Sequence, residues 1–274
     1  MSDCTHDCGS CGSNCSERKG PNPFLAPMNS QSNVRHVIGV VSGKGGVGKS
    51  LITSLLATAV SKKGNAVAIL DADITGPSIP KAFGIKGKAT AADEMLFPVV
   101  SESGIEIMSL NLINANDSDP VVWRGPILAS VVKQFWSDVV WGEVDYMFVD
   151  MPPGTGDVPL TVFQSLPLDG IIVVTSPQDL VSMIVEKAVK MAEMMNIPIL
   201  GVVENYSYLE CPDCGKKISV FGQSKESELK TQFGDDAVAC VPINPSIATA
   251  VDAGNVASID APWLAPLADK LTSL

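Results

Sequence analysis

Residues Val37 to Ser50 read VIGVVSGKGGVGKS. The apolar residues Val37, Ile38, Val40 and Val41, with Gly39 among them, run into a glycine-rich turn. A second apolar run, Leu51-Ile52-Thr53-Ser54-Leu55-Leu56-Ala57, follows at once. That order describes a buried strand, a tight loop and a helix. Gly43, Gly48, Lys49 and Ser50 fill the template G-x-x-x-x-G-K-[ST]. Glycines at Gly43, Gly45, Gly46 and Gly48 let successive N–H groups, Val47's included, curl around phosphate oxygens. The start of the helix adds its positive dipole end. Lys49 brings a point charge to the outer phosphates, and the Ser50 hydroxyl is placed to ligate Mg²⁺. The expected ligand is therefore a nucleoside triphosphate.

The chain around this unit continues the α/β pattern. Lys62-Lys63-Gly64 ends the first helix with cations and then glycine. Ala66 to Leu70 is a second apolar strand, closed by Asp71-Ala72-Asp73 at the strand's carboxyl end, where ligands bind in open α/β sheets. Ile74 to Pro80 is too rich in turn formers for a regular element and reads as a switch loop. Further strands are expected at 104–110, 145–149, 170–175, 197–203 and 238–241, with helices at 127–140, 180–195 and 263–274. Asp150 follows a buried strand, the Walker B arrangement for holding Mg²⁺. The expected fold is a doubly wound, mostly parallel sheet with flanking helices, a P-loop NTPase domain over 34–274.

The composition agrees: 46 % hydrophobic, 18 % charged and 5 % aromatic residues over 274 positions, enough for one large α/β domain. A formal charge of −11 repels phosphate backbones and anionic lipid, which argues against nucleic acid or a membrane surface as the main partner. No apolar run reaches transmembrane length, and the N-terminus lacks the basic-then-apolar pattern of a signal peptide. The expected compartment is the cytoplasm, where seven cysteines read as metal ligands or free thiols sooner than as disulfides.

Cys4, Cys8, Cys11 and Cys15 lie in a C-x3-C-x2-C-x3-C tail without hydrophobic periodicity, joined by the Pro-, Asn- and Ser-rich stretch 19–33. Residues 1–33 thus read as a cysteine-rich tail and linker, whose thiolates suit zinc or an iron–sulfur cluster. Cys211 and Cys214 form a second constellation, C-P-D-C-G-K-K. A redox pair should open a helix; the Gly-Lys-Lys that follows is a turn signal, which fits half of a metal knuckle better. Two thiolates are half a site, and a two-fold dimer supplies the other half. Cys240, in an apolar strand, reads as a core residue, and His6 and His36 as non-catalytic.

Lys44 gives the loop a second lysine, and GKGGVGKS resembles the deviant P-loop of the group that includes nitrogenase iron protein and the partition and cell-division ATPases. The resemblance implies that Lys44 acts across a nucleotide-sandwich dimer. DADITGPSIP, WRGP, DMPPGTGD, TSPQD and ENYSYLECPDCG together resemble the Mrp/ApbC group of iron–sulfur cluster carrier ATPases over residues 34–260. That resemblance implies ATP hydrolysis by a homodimer and a [4Fe–4S] cluster bridged by Cys211 and Cys214. It also implies apo iron–sulfur proteins and cluster-assembly factors as partners. It places Asp71 and Asp73 in switch I, Asp150 at Mg²⁺ and Asp157 in switch II, with Asn205 and the loop at Pro242 on the adenine. Asp73 would orient the attacking water, with Lys49 in cis and Lys44 in trans. The tail resembles the four-cysteine extension of eukaryotic cytosolic carriers, without that extension's long gap. Two other readings stand beside this one: a zinc-stabilised dimeric regulatory ATPase, and a partition or positioning ATPase.

Overall fold

The computed structural model describes residues 24–73, 78–92, 95–113, 125–154, 156–178 and 189–274. The tail cysteines, Ile74–Pro77 of the expected switch loop, Trp123-Arg124 and most of the expected helix 180–195 lie outside them.

The first strand, β1 (Asn33–Ser42), is the centre of the sheet, and the P-loop delivers the chain from it to helix α1 (Lys49–Ser61). β1 pairs in parallel with β7 (Glu143–Asp150) on one side and β8 (Gly170–Thr175) on the other. Beyond β7 lie β2 (Val67–Asp71) and β6 (Glu106–Ser109), both parallel; beyond β8 lies β9 (Ile199–Glu210), with β11 (Val238–Ile243) parallel on its far side. Two short antiparallel strands, β5 (Val99–Val100) on β6 and β10 (Lys217–Ile218) on β9, finish the edges. A small separate hairpin joins β3 (Thr90–Ala92) to β4 (Met95–Phe97).

Alternation within the strands builds the two cores. Val37 and Val41 of β1, Ala68 and Leu70 of β2, and Met147 and Val149 of β7 face one layer. There they meet Val132, Phe135 and Trp136 of α3 (Gly125–Ser137) and Val158, Val162 and Phe163 of α4 (Asp157–Ser165). Ile38 and Val40, Val67 and Ile69, and Phe148 face the other layer, formed by Ile52, Leu55, Leu56 and Val60 of α1 and by Leu267 and Leu271 near the C-terminus. Strands covered on both faces are continuous apolar runs, which is why the sequence shows them so plainly.

Three expectations need correction. Ile79 and Pro80 are not loop: Ile79–Ala82 is a one-turn helix, α2, with proline in its first turn, where its missing N–H costs nothing. β9 does not end at Val203 but runs on to Glu210. The stretch read as a linker is partly docked, since Ala26 N–H donates to the Ser165 carbonyl and Trp136 Nε1 donates to the Ala26 carbonyl at 3.1 Å. Helices α5 (Glu226–Phe233), α6 (Pro245–Asp252) and α7 (Ala265–Leu271) complete the chain.

Candidate nucleotide and thiol sites

The P-loop closes on itself through β7. Lys49, 6 % exposed, sets its ammonium 2.7 Å from Asp150 Oδ2 and 3.4 Å from Asp73 Oδ2. The Ser50 hydroxyl donates to Asp150 Oδ2 at 2.5 Å, and Thr53 Oγ1 donates to Asp150 Oδ1 at 2.7 Å. Parallel pairing sets this geometry, because β7 lies between β1 and β2 and brings Asp150 level with Asp71. Asp71 is buried, accepts from the Ser109 hydroxyl at 3.0 Å and accepts from the Asp73 N–H at 3.2 Å. Burial, then the charge of Asp150, pushes its carboxyl well above the usual range, with Lys49 opposing. Two carboxylates, Asp73 and Asp150, thus hold one ammonium, with the Asp71 carboxyl biased toward its neutral form beside Asp150. Hard oxygen donors with surplus negative charge suit Mg²⁺, with Ser50 and Asp150 as the fitting protein ligands.

Gly48 is in the left-handed region at φ 80° and caps α1 without a side-chain hydrogen bond, so the first N–H groups of that helix face the loop. A Cβ at Gly48 would overlap Asn205 Nδ2 and stand 3.1 Å from the Tyr206 hydroxyl. Asn205, buried in β9, donates from Nδ2 to the Val47 carbonyl at 2.9 Å and accepts the Tyr206 N–H at 3.0 Å. It therefore clasps the P-loop. Tyr206 sits at φ 59° beside it, an unusual backbone for a bulky residue.

Two clefts meet along the loop. One is lined by Gly45, Gly46, Gly48, Lys49, Ser50 and Asp73. The other, more apolar, lies between the loop and Tyr206, Leu209, Phe221 and Ile243. Lys44 is exposed and lines both. Neither Asn205 nor Pro242 lines either cleft; Pro242 is buried within β11 at a register shift, and its neighbour Ile243 reaches the apolar cleft. Gly43 is exposed at the end of β1, and Asp157 is exposed at the start of α4.

Cys211 and Cys214 occupy the turn between β9 and β10. Cys211 N–H donates to the Lys216 carbonyl and Gly215 N–H to the Cys211 carbonyl, closing a tight knuckle. Backbone N–H groups of Asp213 and Cys214, then the Cys214 side chain, hydrogen-bond the Cys211 sulfur and hold its thiol below the usual range. Lys217 lies 4.1 Å over the Tyr208 ring and braces the hairpin. Among the described residues no three His, Cys, Asp or Glu side chains form a metal site, so this knuckle presents two thiols.

Sequence reasoning missed the buried network on β9. Glu204 is buried; its Oε1 accepts the Ser207 hydroxyl and its Oε2 accepts the Lys225 N–H at 3.1 Å. The polar run ENYS looks like the end of a strand, whereas here its polar atoms satisfy one another.

A parallel sheet organised on strand, glycine loop and helix, with an acid from the next strand on the loop's lysine and serine, defines a P-loop nucleoside triphosphatase. Residues 33–271 match the family model described as ParA, NUBPL iron-transfer P-loop NTPase. A protein of Clostridium perfringens named iron-sulfur cluster carrier protein is 44 % identical over 254 residues, covering 90 % of this chain and 86 % of its own. One of the same name from Saccharolobus solfataricus is 46 % identical over 224 residues, covering 81 % and 76 %. The solved nucleotide-binding protein of Archaeoglobus fulgidus in complex with ADP superposes with a TM-score of 0.75 at 42 % identity, covering 84 % of this chain and 91 % of that one. The cell division ATPase MinD of Pyrococcus furiosus, at 18 % identity, a TM-score of 0.59 and coverage of 87 % and 98 %, shares the fold. The chain belongs to the iron-transfer P-loop NTPase family, and it is an ATPase by class.

Proposed function

We propose that this chain is an ATP-hydrolysing carrier that holds a [4Fe–4S] cluster between two copies of itself and delivers it to apo-proteins, receiving it from cluster-assembly factors. Strand β9 carries the reading: one element fastens the P-loop at Asn205 and ends at Glu210, the residue before Cys211. Five residues separate Asn205 from Cys211, so the loop clasp and the first thiol belong to one short stretch of backbone. A shift of the P-loop on nucleotide binding is transmitted along that strand to the thiols.

The cluster is cargo. Four thiolates suit it, so Cys211 and Cys214 from each of two subunits make the set. Ser50 and Asp150 hold Mg²⁺, which supplies charge neutralisation to the phosphates when bound. Lys49 binds the phosphates of its own subunit, Asp73 orients the attacking water, and Lys44 reaches the nucleotide of the neighbouring subunit. Gly43, Gly45, Gly46, Val47 and Gly48 supply the backbone cradle. Tyr206 and Ile243, rather than Asn205 and Pro242 themselves, offer surface in the apolar cleft beside it; Asn205 acts by fixing the loop. The tail cysteines Cys4, Cys8, Cys11 and Cys15 form a second metal-binding segment. No described helix is long and apolar enough to cross a membrane, and the reading places the protein in the cytoplasm.

The test is anaerobic reconstitution with iron and sulfide in a background where the four tail cysteines are serine. About four irons per dimer and the visible band of an iron–sulfur cluster are expected, both lost with Cys211→Ala. Iron retained by Cys211→Ala, or zinc in place of iron in protein as isolated and no visible band after reconstitution, would overturn the reading.

A further inference from the structure

A second concavity of about 440 Å³ lies beside the phosphate cleft and shares none of its lining residues. Lys81, Lys86 and Lys88 line it, with Asn111 and one acid, Asp252. All three lysines are exposed; Lys88 Nζ donates to the Asn111 carbonyl at 2.9 Å, which fixes that charge at the groove wall. Among the described residues that line it, three lysines stand against one aspartate, a local excess of positive charge on a chain of formal charge −11.

The walls of this groove are also walls of the nucleotide site. In the α2 segment, Ser78 and Ala82 line the phosphate cleft, while Pro80 and Lys81 line the groove. At the end of α6, Val251 lines the cleft, and Asp252 and Gly254 line the groove. The two walls touch backbone to backbone. A Cβ on Gly84 would stand 2.8 Å from the Gly254 carbonyl oxygen, and one on Gly254 would stand 2.5 Å from Gly84 Cα. Both glycines are at positive φ, 67° and 75°, so no side chain fits into this joint. A load placed on the groove side of α2 therefore acts on the residues that line the phosphates.

We infer that this groove docks an acidic segment of a partner protein, and that docking is coupled to nucleotide binding through α2 and the end of α6. Exposed lysines present point charges on flexible stems, which suit successive carboxylates of an extended peptide. Among the described residues no aromatic side chain lines the groove, so it offers no stacking surface for bases, which favours carboxylates over a nucleic acid. The inference is independent of the cysteine chemistry and holds whichever metal Cys211 and Cys214 carry.

The experiment uses the full chain and fluorescein-labelled hexaglutamate, read by anisotropy. Binding is expected to weaken as salt rises, and to fall about tenfold or more in Lys86→Glu/Lys88→Glu. Saturating ADP should change hexaglutamate affinity about fivefold or more, and saturating hexaglutamate should change ADP affinity by the same factor. Circular dichroism checks the fold, and Lys81→Ala serves as the milder variant if the double charge reversal unfolds. Binding unchanged in the folded variants would overturn the site. Binding that ignores ADP would overturn the coupling. A single-stranded oligonucleotide of equal charge that binds more tightly through the same lysines would overturn the assignment to a peptide.

Discussion

At the residue scale the nucleotide site is a balance of one buried cation against two carboxylates. Lys49 sits between Asp73 and Asp150, with Asp71 behind them. Removing the ammonium leaves buried negative charge unopposed and takes a charge-assisted contact from the phosphates. Lys49→Ala is therefore expected to weaken ADP binding by roughly 1.5–3 kcal/mol, read by calorimetry; unchanged affinity would show that the phosphates are held elsewhere. A second carboxylate matters for stability instead. Glu106, on β6, has a buried Oε2 without a hydrogen-bond partner, and burial pushes its carboxyl up to about 7. The folded state thus binds this proton more tightly than the unfolded chain, whose value is near 4.5. Its stabilising contribution is complete below 4.5 and is lost as pH rises through about 7. Asp71, shifted in the same direction, adds to that slope. Urea midpoints measured from pH 4.5 to 8 should fall less steeply in Glu106→Gln than in the parent chain. Equal slopes would mean that this carboxyl is solvated.

At the element scale β9 is the strand on which the proposed function turns, because it joins the P-loop clasp to the cysteine turn. Its first half is an ordinary buried parallel strand; its second half carries the loop clasp and a tyrosine in the left-handed region, and leads into the turn that holds the thiols. Asn205→Ala removes the hydrogen bond to the Val47 carbonyl and leaves that carbonyl without its partner, a cost of about 1–3 kcal/mol. Lower ADP affinity is expected together with a lower urea midpoint, while Pro242→Ala, buried in β11 away from both clefts, should change ADP affinity little. A large loss in Pro242→Ala alone would return the adenine contact to that residue. The sequence disclosed this element only in part. Its apolar half, Leu200 to Val203, announces itself through continuous hydrophobicity, whereas Glu204, Asn205 and Ser207 are buried polar groups whose pairing is tertiary. The pairing of Glu204 with Lys225 joins residues far apart in the chain, and no local period records it. For the same reason α2 was unreadable: one turn is too short to show a period, and its proline looks like a breaker.

At the scale of the whole molecule, the parallel sheet and the P-loop were legible because strands buried on both faces and a glycine loop have strong local signatures. The interface of the proposed dimer has none, apart from two hints: a second lysine in the loop and a two-thiol knuckle. Both point to a dimer, and a pair of variants separates the two ways Lys44 could act. Lys44→Ala and Asp73→Ala homodimers should each fail to hydrolyse ATP, since each lacks one group at both sites. Mixing the two chains produces a heterodimer in which the predictions diverge. If Lys44 serves the neighbour, the subunit carrying Lys44→Ala keeps its own Asp73 and receives Lys44 from its partner, so that site is complete. The other site lacks both groups. If Lys44 serves its own subunit, each site lacks one group and the heterodimer is as inactive as its parents. ATP turnover that appears only on mixing, with heterodimer formation verified by tagged-chain capture, is the expected result. A silent heterodimer would place Lys44 in its own subunit's site and remove the loop's second lysine from the argument for a dimer, leaving that argument to the cysteines alone.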